Sequence, residues 1–352
     1  MRMFGARHAG GRRTVGPGTV VVVTGASAGV GRAAARAFGA RGASVALLAR
    51  GERGLDAAAD EVRAAGGEAM TVPVDVADAQ AVDAAADRVT RAYGRIDVWV
   101  NAAFTTVFAP VTEVSPEELR RATEVTYLGS VHGIRAALRR MTGQPDGGTI
   151  VQVGSALAYR SVPLQSTYCG AKSAIRGFFD SLRCELRHDR SPVRLTMVQL
   201  PGLDTPQFSW VLSRMDGHPR PVAPVYAPEV AARGIVYAAC HPRRREYWVG
   251  GSTVATLIGN RLAPALLERY LARTGYGSQQ TGEPRPADAP TALWEPADGP
   301  DGTDYGANGV FGGEARHRSA QLWLSRHRRR LAGAGALAAL GAGALAAVRR
   351  QG

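Results

Sequence analysis

Three side chains in this sequence have the types and spacing to move a proton at a carbonyl or alcohol carbon: Ser155, Tyr168 and Lys172. Tyr168 and Lys172 stand four positions apart, so on a helix they share one face and the phenol neighbours the ammonium. A phenol with a pKa near ~10 is a poor base at neutral pH, and an adjacent cation favours its phenolate. Ser155 lies thirteen residues earlier, after a Thr/Ile/Val run, where its hydroxyl can donate to a substrate oxygen as charge develops. Tyrosine then gives or takes the proton. Lys172 is also the only lysine among 43 basic residues. A guanidinium cannot replace an ammonium where a compact, tunable charge is needed, which marks this position for chemistry.

Such chemistry needs a hydride carrier, and the start of the chain reads as its binding site. Val20 to Thr24 is a β-branched run leading into Gly25, Ala26, Ser27, Ala28, Gly29, Val30 and Gly31. Gly25 permits a tight turn, Gly29 lets backbone approach a phosphate, and Gly31 allows a helix to pack on the strand. The amides from Ser27 to Val30 then face the anion at the helix N-terminus. The next strand ends in Ala49-Arg50, where an NAD site carries an acid for the ribose hydroxyls. A neutral residue followed by arginine suits a 2′-phosphate, so NADP(H) is expected over NAD(H). Asp75, closing the third strand, can accept from an adenine amino group, and Asn101 closes the fourth beside the cofactor.

The elements that must carry these residues alternate. Strands are expected near 19–24, 44–49, 70–74, 97–101, 148–153, 193–199 and 245–249, and helices near 29–41, 52–66, 78–93, 116–141, 167–189 and 228–240. That order implies an α/β fold, a Rossmann-type doubly wound parallel sheet of about seven strands. Four regions follow: a flexible basic segment 1–18, a catalytic domain 19–255, a helical and irregular extension 256–315, and a basic tail 316–352. Residues 277–315, dense in Gly, Pro, Asp and Thr, read as a surface extension or a linker.

The glycine pattern together with Ser155, Tyr168 and Lys172 resembles the short-chain dehydrogenase/reductase family of the single-domain type, over roughly residues 18–255. The resemblance implies that Tyr168 is the general acid/base, that Lys172 lowers its pKa and holds the nicotinamide ribose, and that Ser155 steadies the carbonyl. It also implies a threonine contact to the carboxamide, matched by Thr205, although Leu200-Pro201 stands where the family has Pro-Gly. Two further departures concern the site: Phe104 replaces a family glycine, and Thr126 replaces an asparagine whose carbonyl supports a water relay to the lysine. They leave a rival reading open, a nucleotide-sensing scaffold with little catalysis.

The net charge of +13 suggests nucleic acid only until it is located. Residues 1–18 hold +4 and residues 316–352 hold +8, which leaves +1 for 19–315; no basic face is left on the body, and no nucleic-acid partner is expected. Three scattered cysteines without a CxxC pair fit a reducing cytoplasm, and no metal-ligand spacing is present. Residues 203–228 include Phe208, Trp210, Val211, Leu212, Met215 and Tyr226, an apolar set expected to cover an apolar carbonyl or alcohol substrate. A homo-oligomer is expected. Residues 331–348 are uncharged Ala, Gly, Leu and Val between arginine clusters. As a helix they would span ~27 Å, close to a hydrocarbon core of ~30 Å, so membrane contact through this tail is an expectation beside a merely peripheral one.

Overall fold

Short runs of Val, Ala and Leu bounded by Gly, Asp and Asn extend and pair, while the alanine-rich stretches between them coil. The computed structural model of the protein describes residues 14–286, 288–299 and 302–328. The first half of the chain runs β1 (Val20–Thr24), α1 (Gly29–Gly39), β2 (Ser44–Ala49), α2 (Glu52–Ala64), β3 (Glu68–Pro73), α3 (Ala79–Tyr93), β4 (Val98–Asn101) and the short β5 (Val107–Phe108). It continues through α4 (Pro116–Thr123), α5 (Gly129–Met141), β6 (Thr149–Ser155), α6 (Ser166–His188) and β7 (Arg194–Leu200). Then come α7 (Gln207–Trp210), β8 (Leu212–Ser213), β9 (Gly217–Pro219), α8 (Pro228–Cys240) and β10 (Glu246–Trp248). The extension begins with α9 (Gly251–Leu262), α10 (Pro264–Thr274) and β11 (Gln280–Pro284).

Seven strands form one sheet in the order β10-β7-β6-β4-β1-β2-β3, and every pairing in it is parallel. Alternate side chains of a strand point to opposite faces, and both faces here are buried. Val21 and Val23 join one apolar cluster with α1, α2 and α8; Val20 and Val22 join the other with α3, α5 and α6. The chain leaves β1 toward β2 and later returns to β4 on the other side, so a crevice opens between the carboxyl ends of β1 and β4.

The expected helix 116–141 is interrupted. Its start is set by a capping box of Ser115 and Glu118 with Pro116 in the first turn. A π-helical turn at Glu124–Leu128 then separates α4 from α5, the kind of local widening that recurs at functional sites. Residues on either side of the central unit pack onto it. Val15 is buried in the main core, so residues 14–18 are tied to the body. α9 starts before residue 256, and the extension is surface-packed rather than a linker: Leu293, Ala307, Phe311 and Leu322 are buried, and Arg316 bridges to Tyr226. Residues 331–348 lie outside the described residues, and among those described no helix is long and apolar enough to cross a membrane.

α1 can lie on β1 only because Gly31 has no side chain: a Cβ there would overlap the Gly25 carbonyl. Gly31→Ala is therefore expected to lower stability by about 3 kcal/mol or more. Urea unfolding measures it, and an unchanged midpoint would disprove the packing argument.

Candidate active site

Ser155 ends β6 in extended conformation, and its Oγ accepts from the Leu157 amide at 3.1 Å. Tyr168 sits in the first turn of α6 and lines the same cleft as Ser155. One turn on, Lys172 is 3% exposed and its Nζ donates to the Val153 carbonyl at 3.0 Å. Phe104 closes this corner. Its ring meets the Tyr168 ring edge-on at 5.5 Å, and the Lys172 ammonium lies 5.6 Å from the Phe104 centroid and 5.5 Å from that of Tyr168.

Desolvation dominates both ionisations. Burial pushes the Tyr168 phenol up to about 12, with the Ser155 hydrogen bond pulling the other way. Burial likewise brings the Lys172 ammonium down to about 8. The Lys172 ammonium is turned to the Val153 carbonyl, and the upward shift of the Tyr168 phenol comes first from burial. Thr126, which stands in place of the relay asparagine, is fully buried in the π-turn; its Oγ1 donates to the Thr105 carbonyl at 2.8 Å and accepts from the Thr105 amide at 3.0 Å, and its carbonyl accepts from Ser130 Oγ. It clamps the segment that carries Phe104.

At the other end, Gly25 has φ +67° and its α-carbon is crowded by the Ala102–Ala103 backbone, so no side chain fits. Thr24, which the sequence reading passed over, accepts from the Ala102 and Ala103 amides through Oγ1. Ser27, Gly29, Val30, Gly31 and Thr205 line the cleft, with the Thr205 side chain beside Gly29. Asp75 accepts from the Ala77 amide and pairs with Arg121 at 2.5 Å. Burial opposes its ionisation, but these two partners hold its carboxyl below the usual range. Asn101 is corrected: it accepts from Trp99 Nε1 and donates to the Ser130 carbonyl and Gln152 Oε1, bracing β4 rather than lining the cleft.

The cleft joining these ends has a volume of about 470 Å³, in the range of ligand sites. It runs from Arg50 and Asp75 past the glycine turn to Ser155, Tyr168 and Lys172. Part of its wall is a strap from the extension that sequence reasoning missed. Arg50 donates to the carbonyls of Trp294 and Ala292, Arg121 to that of Leu293, and Arg32 pairs with Asp304. The Gly29 amide, expected to face a phosphate, donates to the Gly306 carbonyl at 3.1 Å. Nothing in a Gly/Pro/Asp-rich stretch specifies where it docks, so no sequence signal marked it. Of the apolar loop, Phe208, Trp210 and Val211 line the cleft, while Leu212, Met215 and Tyr226 do not. Leu157, Val162, Leu267 and Leu271 complete the apolar wall beside Ser155.

A nicotinamide dinucleotide fits the two ends differently. One end of the cleft is lined by Ser155, Tyr168 and Lys172, with Phe104 beside them. The adenosine end retains the glycine cradle, with the strap as its outer wall.

A doubly wound parallel sheet with a glycine turn at its switch point and a Ser-Tyr-Lys set along one cleft defines a Rossmann-type oxidoreductase. The family model of short chain dehydrogenases matches residues 19–214. The uncharacterised oxidoreductase YxnA of Bacillus subtilis is 33% identical over 277 residues, covering 78% of each chain. A short-chain dehydrogenase/reductase from Burkholderia phymatum, solved in complex with NAD, shares the fold with TM-score 0.64 at 23% identity, over 72% of this chain and 96% of that one. A metagenomic short-chain oxidoreductase, solved in complex with NADP, gives TM-score 0.57 at 30% identity, over 67% and 98%. The chain belongs to the short-chain dehydrogenase family.

Because Lys172 is the only lysine, lysine-selective isotope labelling reports one side chain. Its NMR titration is expected to have a midpoint of about 8 rather than the ordinary 10.5. Between those values the unfolded chain holds the proton and the folded one does not, so this group's contribution to stability rises with pH across that window. A midpoint at the ordinary value would show the ammonium to be hydrated.

Proposed function

We propose that this protein moves a hydride between a nicotinamide dinucleotide and a carbonyl or alcohol carbon of an apolar small molecule. The observation that carries the reading is that Ser155, Tyr168 and the buried Lys172 line the same cleft as the glycine turn. When bound, the nicotinamide supplies or takes the hydride. Ser155 donates to the substrate oxygen and Tyr168 gives it a proton in the reducing direction or removes one in the oxidising direction. The Lys172 ammonium stabilises the phenolate left behind and holds the dinucleotide's ribose. Phe104 narrows the approach to Tyr168, and the walls of Phe208, Trp210, Leu157 and Leu271 exclude water and favour an apolar substrate.

The neutral Ala49 with Arg50 supports NADP(H); the capture of both Arg50 Nη groups by strap carbonyls weighs against it. A cytoplasmic setting and a homo-oligomer remain part of the reading, resting on the free thiols and on the resemblance. Membrane contact through 331–348 is proposed only for the tail; cosedimentation with anionic vesicles, with and without residues 325–352, checks it.

Oxidation of NADH and NADPH over a carbonyl panel tests the activity. Tyr168→Phe is expected to lower kcat by roughly 100-fold or more while leaving nucleotide binding intact. Tight nucleotide binding with no turnover of any carbonyl would favour the nucleotide-sensing alternative.

A further inference from the structure

Asp298, on the strap, is an unusual residue for its place. It is 6% exposed, whereas aspartate is rarely buried unless paired. Its carboxylate rests on the first turn of α2: a Cβ on Gly51 would collide with Oδ1, and one on Gly54 with Oδ2. The Ser27 Cβ would be only 2.8 Å from that Gly54 position, so the carboxylate sits where the glycine turn, the end of β2 and the start of α2 converge. Asp298 lines the cleft, and among the described residues its Oδ2 has no hydrogen-bond partner. A buried carboxylate oxygen without a donor calls for an explanation, and a ligand hydroxyl would provide one.

The surrounding groups say which ligand. The end of β2 is where a dinucleotide site places an acid for the ribose hydroxyls, and β2 here ends in Ala49. Arg50, the residue suited to a 2′-phosphate, has Nη1 on the Trp294 carbonyl at 2.6 Å and Nη2 on the Ala292 carbonyl at 2.7 Å. The N-terminus of α2, which would otherwise favour an anion, already faces the Asp298 carboxylate. The strap thus occupies the phosphate-binding arginine and delivers the carboxylate that β2 lacks.

We propose that Asp298 is the cofactor-discriminating residue, accepting from the adenosine ribose hydroxyls of NAD(H) and repelling the 2′-phosphate of NADP(H). The assignment rests on the reading of the cleft as a dinucleotide site, and it replaces the NADP(H) preference drawn from Ala49 and Arg50. Specificity then comes from a segment beyond the sheet, added to the fold from the C-terminal side.

Binding of NADH and of NADPH to the full chain, without substrate, tests it by calorimetry or nucleotide fluorescence. Wild type is expected to bind NADH at least about tenfold more tightly than NADPH, since a like charge beside the phosphate penalises it. Asp298→Asn is expected to reduce that ratio by about tenfold, chiefly through tighter NADPH binding, and Asp298→Glu to preserve its direction. Asp298→Ser supplies a second variant should the asparagine variant fail to fold: it removes the carboxylate and is expected to reduce the ratio in the same direction. Tighter binding of NADPH than NADH by wild type, or an unchanged ratio in folded Asp298→Asn or Asp298→Ser, would overturn the assignment alone. Binding of neither nucleotide by wild type would overturn the dinucleotide reading together with it.

Discussion

The two amides that Thr24 Oγ1 accepts, from Ala102 and Ala103, tie the carboxyl end of β1 to the segment leaving β4. That close approach is tolerated because Gly25 has no side chain to meet Ala103. From this one point the chain runs two ways. Along α1 it gives the glycine turn and the packing of Gly31 on the Gly25 carbonyl. Along residues 104–106 it brings Phe104 against Tyr168 and Lys172, with Thr126 clamping Thr105 behind it. The nucleotide end and the proton-transfer end of the cleft are thus parts of one junction at the sheet's switch point.

Burial decides how the catalytic groups behave. In water a lysine four residues from a tyrosine would ease its ionisation. In this cleft burial raises the phenol and lowers the ammonium. Among the described residues the ammonium makes one hydrogen bond, to the Val153 carbonyl, which uses one of its three donors. Such a site gains from the arrival of any group that supplies polar contacts along the cleft, since a desolvated cation is costly until it is paired.

The extension changes the meaning of residues in the common core of the fold. Arg50 and Gly29 line the crevice while Arg32 lies buried behind it, and the strap engages Arg50 at Trp294, Arg32 at Asp304 and the Gly29 amide at Gly306. Leu293, Ala307 and Phe311 anchor the strap by burial, with Phe311 edge-on to Phe208. A segment held by a few apolar contacts and many backbone carbonyls can shape a pocket without contributing to the sheet.

The local order of the sequence determined the elements: the β-branched runs, the glycine turn, the Ser115 cap and the i,i+4 spacing of Tyr168 and Lys172 act over one or two turns, where geometry follows directly from residue type. The seven-stranded parallel sheet was legible for the same reason, since alternating short strands and helices of this length admit few other architectures. The roles of Asn101 and Thr126 were not, because a buried amide or hydroxyl goes wherever donors and acceptors converge, and those partners lie on other elements. Least legible was Asp298. Its place against Gly51 and Gly54 depends on where a Gly/Pro-rich chain docks nearly 250 residues downstream of them, and only the packed surface of the finished fold decides that.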